Sequence, residues 1–387
     1  MNKYKMAIVR PDGNVIPKGF YNSQELGLAQ QLSVLNVDVD VYYAGNVEKI
    51  TSSRIESSGP GQVNLIELPY YIIPLIQQAI FPGLIKELRK SKYDLIQVNE
   101  YNDIISTQVV NYADKNYIPV IVYQGMYKNL SGRFNGLYTF FHDKLLISNF
   151  INKVSIALTK TKVAADFLMS KGFNHVSVMP VGLDTNAFVQ SKNQINNNEL
   201  NNLYDIPANH KVILYIGNFE QRRNINFLLD IANYCKKLPI TFLFIGEGEL
   251  LVQAQQKVIT QNMSNVRLPG RLPQKELSTI YQSSDLFLLA SDYEIYGMVV
   301  LEAMYYGIPV ISNNTAGPAS IIDSNINGVI INDLNVEEWS TVIKKLFSDN
   351  NILKTMKNRA KTKIEQELTW EKIAQKYLDV ILKKYCH

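Results

Sequence analysis

The sequence predicts an α/β protein built from two doubly wound, Rossmann-like domains. Short apolar runs rich in β-branched residues alternate with segments of helical periodicity in both halves of the chain, which is the pattern of a parallel sheet covered on both faces. A chain of 387 residues is about twice the usual size of one hydrophobic core. An Asn-rich polar stretch without an apolar period lies between the halves, and it predicts a linker there.

In the first half, helical segments are expected at residues 23–36, 84–91 and 104–116. The strands between them are expected at MAIVR, VDVDVYY, DLIQV, PVIVYQG and VSIALT. Each run is short and apolar enough to be buried on both faces of a sheet. We place this first domain at residues 1–186 and the linker at residues 187–210.

The second half repeats the alternation. Its strands are expected at KVILYIG, ITFLFIG, NVRLPG, DLFLLAS, PVIS and GVIIN. Its helices are expected at residues 224–237, 250–261, 275–283 and 299–306. We place this second domain at residues 211–369. From Trp370 onward, apolar residues at helical spacing with lysines opposite them predict a final amphipathic helix over residues 370–387.

Composition excludes several classes of protein. With 46% apolar and 19% charged residues, the chain can bury a large interior and is not mainly disordered. A net charge of +4 is too small to indicate a nucleic-acid-binding protein. Cys235 and Cys386 are far apart and the N-terminus has no apolar signal core, so we expect a reducing, cytoplasmic location. No apolar run reaches the roughly 20 residues that cross a bilayer.

A metal site is considered because Asp38 and Asp40 form a literal Asp-x-Asp. The alternation of NVDVDVYY places both aspartates on one face of a half-exposed strand. No ligand spacing relates the four histidines, which are His142, His175, His210 and His387. We expect no metal and no cofactor. A nicotinamide enzyme is not expected either, because neither domain has Gly-x-Gly-x-x-Gly directly after a first strand.

A strand-loop-helix segment at residues 285–312 carries the strongest chemical signal. Glu294 lies in the loop, and Glu302 follows eight positions later in a helix that starts near Gly297. The backbone N–H groups of Gly297, Met298 and Val299 at this helix start suit a phosphate, and the carboxylates can accept hydrogen bonds from sugar or ribose hydroxyls. An ordinary strand-loop-helix, with Glu302 stabilising the helix dipole, remains the alternative.

Further motifs accompany this Glu-x7-Glu element. They are MPVGLDTNAF at 179–188, YIGNFEQRRN at 215–224, FIGEGEL at 244–250 and LPGRLPQKEL at 268–277. In order and spacing over almost the whole chain, they resemble the retaining glycosyltransferases of the GT-B fold, family 4, also called glycosyl transferases group 1. The resemblance implies two domains facing across a cleft, with the final helix packing back toward the N-terminal domain.

The resemblance also implies roles for charged residues of the second domain. Arg222 and Arg223 are expected to hold the leaving diphosphate, since guanidinium groups bind phosphate oxygens in bidentate fashion. The family commonly has Arg where Asn218 stands, and we expect Arg222 to compensate for the lost charge. Glu294 corresponds to the glutamate beside the donor sugar, and Glu302 to the one that binds the ribose.

Other nucleotide-sugar contacts are implied at Gly217, Asn218 and Gly246. The Arg271–Leu272 segment is implied as well, because its backbone frames the base in the family. The loop after the first strand holds Gly19, expected near the donor phosphate, and Gly13, expected on the acceptor side.

Two positions depart from the family on the acceptor side and in the second domain. Gln124 stands where many members have His, and we assign it to the acceptor side as a hydrogen-bonding group that does not titrate. Ser320 stands where Glu often follows the glycine-rich turn.

The expected function is that of a metal-independent retaining glycosyltransferase. It moves a hexosyl or N-acetylhexosaminyl group from a nucleotide-diphosphate sugar, expected to be UDP-linked, to a saccharide or lipid-linked acceptor in surface polysaccharide biosynthesis. Two alternatives stay open. One is a catalytically degenerate GT-B subunit that binds sugar or a partner protein, which the residues Asn218, Gln124 and Ser320 favour. The other is a GT-B sugar-nucleotide epimerase.

Two segments of the first half mix aromatic, aliphatic and basic residues, at 68–93 and 125–153. Such mixtures suit the interface of an anionic bilayer, and they predict a peripheral location on the inner face of the cell membrane. Core helices with basic outer rims are the alternative interpretation.

Overall fold

The computed structural model describes residues 3–13, 15, 23–129, 133–185 and 203–385, with 133–138 and 384–385 described by their backbone alone. The chain divides into two compact units. The first comprises residues 1–184 together with residues 370–387, and the second comprises residues 185–369. Most of the predicted linker, residues 187–210, lies outside the described residues.

The first unit is organised around one large sheet. The strands described in it are β1 (Tyr4–Val9), β2 (Val37–Ala44), β3 (Thr51–Ile55), β4 (Val63–Leu68), β5 (Tyr71–Ile73), β6 (Gln78–Ile80), β7 (Leu95–Asn99), β8 (Val120–Gln124), β9 (Ile156–Thr159) and β10 (Val176–Val178). Eight of these form the sheet in the order β10-β9-β8-β7-β1-β2-β4-β3, in which only the β3–β4 pair is antiparallel. Strands β5 and β6 form a separate hairpin.

Helices follow most of these strands. They are α1 (Gln24–Val34), α2 (Leu84–Leu88), α3 (Ile104–Lys115), α4 (Arg133–Leu145), α5 (Ile147–Ile151) and α6 (Lys162–Ser170). The central strands are buried on both faces, as in residues 6–9 of β1 and throughout β8. This explains why their sequences are nearly continuous apolar runs rather than alternating ones.

The hairpin corrects one expectation about residues 68–93. Core helices were one of the two interpretations of this segment, and only α2 within it is helical. The interfacial interpretation stays a prediction. Pro74 lies between the two hairpin strands, and Gln77 has a left-handed backbone with φ of 50°. A proline and a left-handed residue so close together prevent a regular helix and favour a tight turn.

The second unit contains a six-stranded parallel sheet among its described residues. Its strands are β11 (Lys211–Ile216), β12 (Ile240–Ile245), β13 (Val266–Gly270), β14 (Leu286–Leu289), β15 (Val310–Asn313) and β16 (Gly328–Ile331). Its helices are α7 (Ile225–Tyr234), α8 (Leu251–Thr260), α9 (Gln274–Gln282), α10 (Met298–Tyr305), α11 (Ala316–Ile321), α12 (Val336–Ser348) and α13 (Asn350–Glu367). The order is β13-β12-β11-β14-β15-β16, so the winding reverses between β11 and β14.

The final helix, α14 (Trp370–Tyr385), belongs to the first unit. The Tyr377 hydroxyl donates to Gln97 Oε1 at 2.5 Å, and the Trp370 backbone N–H donates to the Leu183 carbonyl at 3.2 Å. The indole of Trp370 packs directly against Gly27 of α1, where no side chain would fit. The prediction that this helix packs on the first domain is confirmed, and so is the doubly wound α/β class.

The Asp-x-Asp pair of β2 is bound by protein groups. Asp40 is buried rather than half-exposed as expected, and its carboxylate accepts from Tyr93 and Asn64 and pairs with Lys5 at 3.1 Å. Asp38 pairs with Lys3 at 3.0 Å. These contacts give both carboxylates a structural role in holding β2 to its neighbours.

Candidate functional site

The site is built where the second sheet reverses its winding. In open α/β sheets, the loops that follow the two strands on either side of this point diverge and leave a crevice at the carboxyl ends of the strands. Here those loops are residues 217–224 after β11 and residues 290–297 after β14. The first loop carries Arg222 and Arg223, and the second carries Glu294. The strand order therefore brings together residues that are about 70 positions apart in the sequence.

Arg223 joins the two loops. One of its terminal nitrogens donates to Ser291 Oγ at 3.0 Å and forms an ion pair with the carboxylate of Glu294. Both side chains are largely withdrawn from water, with 16% and 13% of their side-chain surface exposed. The Arg223 Nε atom is buried and has no hydrogen-bond partner among the described residues. The pair thus places a positive and a negative group side by side in a partly desolvated position, where electrostatic interactions are stronger than in water.

The loop that carries the arginines is held in place by its own backbone and by Asn224. Asn224 has a left-handed conformation with φ of 53°, which asparagine tolerates better than most residues. Its side-chain amide donates to the Ala290 carbonyl at 2.9 Å. The Asp292 backbone N–H donates to the Arg222 carbonyl at 2.9 Å. These bonds fix the spacing between the two loops.

Arg222 has a different environment from Arg223. Its Nε donates to Glu220 Oε2 at 2.9 Å, and one terminal nitrogen donates to the Tyr293 carbonyl at 3.1 Å. Its side chain is 41% exposed. Asn218 donates to the other oxygen of Glu220 at 2.8 Å. The charge of Arg222 is therefore shared with a carboxylate that the motif comparison did not single out.

The N-terminus of α10 lies directly after Glu294. Gly297 caps this helix with φ of 90°, a conformation that favours glycine. The first-turn N–H groups of a helix have no intrahelical acceptor, so those of Met298 and Val299 are available to an anion. The Gly317 N–H donates to the Glu294 carbonyl at 3.1 Å, which steadies the loop from the side of α11. The expected helix start near Gly297 is confirmed.

Glu302 lies in the second turn of α10 and is 5% exposed. The Tyr281 hydroxyl of α9 donates to its Oε2 at 2.8 Å. This bond orients a carboxylate that would otherwise be buried at a high desolvation cost. Tyr281 was missed in the sequence, because nothing in a helix sequence indicates which buried tyrosine faces a carboxylate on the next helix.

The remaining predicted residues of the second unit cluster around the ends of β11, β12 and β13. Gly246 has φ of 149° and lies so close to the Gly217 carbonyl that no Cβ would fit. Its N–H donates to the Gly270 carbonyl at 2.9 Å. Arg271 extends to Glu247, with 2.7 Å between the paired atoms. Leu272 follows Arg271 in the short segment between β13 and α9.

In the first unit, Gln124 ends β8 and is fully buried. Its Oε1 accepts from the Tyr101 N–H and its Nε2 donates to the Met126 carbonyl, both at 3.1 Å. The amide oxygen and the amide nitrogen of Gln124 therefore each bind a backbone group of the first unit. Gly13 packs against Ile72 of the hairpin. The prediction for Gly19 lies outside the described residues.

A group of acidic residues at the carboxyl ends of β1 and β7 was not found in the sequence. Glu100 has a left-handed backbone, with φ of 57°, and its carboxylate accepts from the Gly125 N–H at 2.9 Å. Burial, and then the charges of Glu100 and Asp12, raise the pKa of Asp103 to about 8. Burial also raises the pKa of Glu100. Within the described part of the chain, no cluster of three or more His, Cys, Asp or Glu residues could hold a metal ion.

Sequence comparison connects this geometry to known proteins. Residues 196–363 match the family described as Glycosyl transferases group 1. That segment contains both arginines, both glutamates and the N-terminus of α10. An uncharacterised 41.2 kDa protein of the cps region of Klebsiella pneumoniae is 28% identical over 172 residues, which are 44% of this chain and 45% of that protein.

Two further relatives have named activities. A GDP-mannose-dependent alpha-mannosyltransferase of Corynebacterium glutamicum is 23% identical over 59% of this chain and 54% of its own length. The lipopolysaccharide core biosynthesis glycosyltransferase LpsE of Rhizobium meliloti is 25% identical over 46% of this chain and 52% of its own. The chain thus spans about half the length of the curated relatives that it matches. Both of these relatives are named for the transfer of a sugar.

Solved structures extend the likeness to the whole chain. A glycosyltransferase from Rickettsia africae superposes with a TM-score of 0.76 at 14% identity, covering 99% of both chains. Anabaena HepE in complex with UDP and glucose superposes with a TM-score of 0.68 at 15% identity, covering 98% of this chain and all of HepE. The chain has the GT-B fold, and the predicted fold class is confirmed.

Proposed function

We propose that this protein is a retaining glycosyltransferase of family 4. It transfers a hexosyl or N-acetylhexosaminyl group from a UDP-linked sugar to a saccharide or lipid-linked acceptor in surface polysaccharide biosynthesis. The observation that carries the proposal is the arrangement of Arg223, Glu294 and the N-terminus of α10 at the reversal point of the second sheet. This arrangement joins groups that bind phosphate to a carboxylate that binds hydroxyls, within the segment that matches the family.

The proposed reaction takes place on one face of the donor sugar. As the bond to the diphosphate breaks, negative charge grows on the leaving phosphate. Arg222, Arg223 and the first N–H groups of α10 stabilise this charge, which is the main catalytic contribution. The leaving phosphate accepts the proton of the acceptor hydroxyl, and the new glycosidic bond forms on the face that the diphosphate leaves. Glu294 positions the sugar, and Glu302 binds the ribose.

A panel of nucleotide sugars tests the proposal. Purified protein is incubated with UDP-, GDP- and ADP-linked sugars, and the release of free nucleotide is measured with and without saccharide or lipid-linked acceptors. We expect release from a UDP-sugar that increases with an acceptor, and an anomeric configuration in the product equal to that of the donor. Binding without turnover would instead favour the catalytically degenerate subunit, and interconversion of the sugar on its nucleotide would favour the epimerase.

Activity is expected to persist in excess EDTA. The physical reason is that the arginine pair and the helix N-terminus, rather than a bound divalent cation, are proposed to neutralise the diphosphate. Initial rates are compared before and after dialysis against EDTA. Loss of activity that Mn²⁺ or Mg²⁺ restores would contradict the proposed independence from metal.

We also propose that the first unit binds anionic membrane surfaces through α4 and α5. The part of the chain that the structure describes has no helix with the length and apolar character needed to span a membrane. Several large apolar side chains nevertheless face solvent on these helices; they are Phe140, Phe141, Leu145 and Leu146, with Leu145 70% exposed. Lys144 lies over the ring of Phe140. Aromatic, aliphatic and basic groups on one exposed surface suit the headgroup region of an anionic bilayer.

Sedimentation with liposomes tests this surface. The protein is expected to sediment with anionic vesicles at low salt and to be released as ionic strength rises, because each basic residue near such a surface contributes about 1 kcal/mol and is screened by salt. Leu145→Asp is expected to reduce binding. Ile259→Asp, an equally exposed apolar position in the second unit, serves as the control. Equal binding to neutral vesicles, or no binding to either kind, would overturn the proposal.

A further inference from the structure

Glu220 bridges two residues of the loop after β11. Its Oε1 accepts from the side-chain amide of Asn218 at 2.8 Å. Its Oε2 accepts from Arg222 Nε at 2.9 Å. The same carboxylate thus connects an asparagine and an arginine that lie four positions apart. The side-chain hydrogen bond from Asn218, together with the charge of Arg222, lowers the pKa of Glu220, so this carboxylate remains charged at neutral pH.

Arg222 is fixed at a second point. One of its terminal nitrogens donates to the Tyr293 carbonyl at 3.1 Å, and Tyr293 directly precedes Glu294. A guanidinium group has five N–H donors in a planar, rigid fork. The bonds to Glu220 and Tyr293 use two of them and set the plane of the fork. Among the residues that the structure describes, the other donors make no further hydrogen bond, so they can face a ligand. An arginine oriented in advance loses less conformational freedom when it binds an anion.

We propose that Asn218 is a positioning residue that acts through Glu220 to orient Arg222 toward a nucleotide diphosphate. The inference rests on the proposed function, because the diphosphate is the ligand of that site. It assigns roles to Asn218 and Glu220 that differ from direct phosphate binding. Asn218 holds Glu220, Glu220 holds Arg222, and Arg222 contacts the phosphate.

The direction in which removal of Glu220 changes the affinity for an anion separates a positioning role from simple electrostatics. Glu220 is a negative charge beside a site for an anion, so its removal should strengthen anion binding if charge alone matters. If Glu220 orients Arg222, its removal should weaken binding even though the loop becomes more positive. UDP is a suitable probe because its terminal phosphate carries the charge that the leaving group acquires.

Calorimetric titration with UDP measures whether each substitution weakens or strengthens binding. We expect Glu220→Ala and Asn218→Ala each to weaken UDP binding about five- to tenfold, on the scale of a partly lost charge-assisted hydrogen bond. In the Glu220→Ala background, Asn218→Ala should add nothing, because the connection from Asn218 to Arg222 through Glu220 has already been removed. Glu337→Ala, which removes an exposed carboxylate from the first turn of α12 in the same unit, is the matched control and should leave UDP binding unchanged.

Tighter UDP binding by Glu220→Ala, or additive effects of the two substitutions, would overturn the proposal. A second measurement is independent of any nucleotide. The Nε–H resonance of Arg222, in protein labelled with ¹⁵N at arginine, should shift in Asn218→Ala and shift further in Glu220→Ala. If the wild-type protein binds neither UDP nor GDP, the proposed function fails. The Arg222 resonance then tests, by itself, whether Asn218 and Glu220 orient Arg222. An unchanged Nε–H resonance in both variants would overturn that proposal.

Discussion

Arg223→Ala is expected to lower kcat by roughly 10- to 150-fold, because a charge-assisted hydrogen bond to the leaving phosphate contributes about 1.5–3 kcal/mol. Negative charge grows on that phosphate as the glycosidic bond breaks, so the contact strengthens toward the transition state. The loss of kcat should therefore exceed any rise in the donor KM. Steady-state kinetics with the donor found in the nucleotide-sugar panel measure both quantities.

Arg222→Ala is expected to act in the same direction with a smaller loss. Arg222 is more exposed than Arg223 and shares its charge with Glu220, and solvent weakens charged contacts. Arg359→Ala, at an exposed position of α13, is the control and should leave kcat unchanged. If neither Arg222→Ala nor Arg223→Ala lowers kcat in an enzyme that is otherwise active, the phosphate site lies elsewhere.

A cation restored at position 218 tests whether Arg222 replaces a missing charge. Asn218→Arg in the Arg222→Ala background should recover part of the lost rate. Recovery should be incomplete, because residue 218 lies within hydrogen-bonding distance of Glu220 and the new guanidinium would pair with that carboxylate. If Arg222→Ala leaves the rate unchanged while Arg223→Ala abolishes it, a single cation is sufficient and Arg222 only holds the loop through its bonds to Glu220 and Tyr293.

Glu294→Ala and Glu302→Ala are expected to impair the enzyme in different ways. Glu294 pairs with Arg223 at the reversal point of the sheet. Its loss should lower kcat, because the donor sugar is no longer held in the position that the transition state requires. Glu302 should act on ribose binding, so its loss should raise the donor KM with a smaller change in kcat. Equal effects of both substitutions on KM alone would contradict these roles.

The burial of Glu302 requires a control for folding. Because Tyr281 donates to this carboxylate, Glu302→Ala leaves a buried hydroxyl without that acceptor, at a cost of about 1–3 kcal/mol. Glu302→Gln keeps an acceptor for Tyr281 while it removes the charge. Tyr281→Phe removes the hydroxyl alone. Thermal unfolding of the three variants separates a loss of stability from a loss of donor binding.

Much of the fold could be predicted because its strands are buried on both faces. Continuous apolar runs such as KVILYIG and ITFLFIG identify β11 and β12 without reference to any partner. Exposed elements were harder to find. Strand β3 has little burial, so its composition resembles that of a loop. Helices α12 and α13 were missed although Asn335 and Asp349 cap their first turns, a signal that was present in the sequence.

The sequence by itself determined the two α/β halves, the final amphipathic helix, the positions of both arginines and Glu294 in loops after strands, and that of Glu302 in the helix that follows. Local periodicity and turn chemistry decide these features, because they depend on neighbours a few residues away. The tertiary structure alone decided which groups meet. Arg223 reaches Glu294 and Ser291 only because β11 and β14 are adjacent in the sheet. Glu302 is bound by Tyr281 only because the fold brings the last turn of α9 within reach of α10. Strand order and helix packing are set by burial over the whole domain, so no local pattern specifies these pairs.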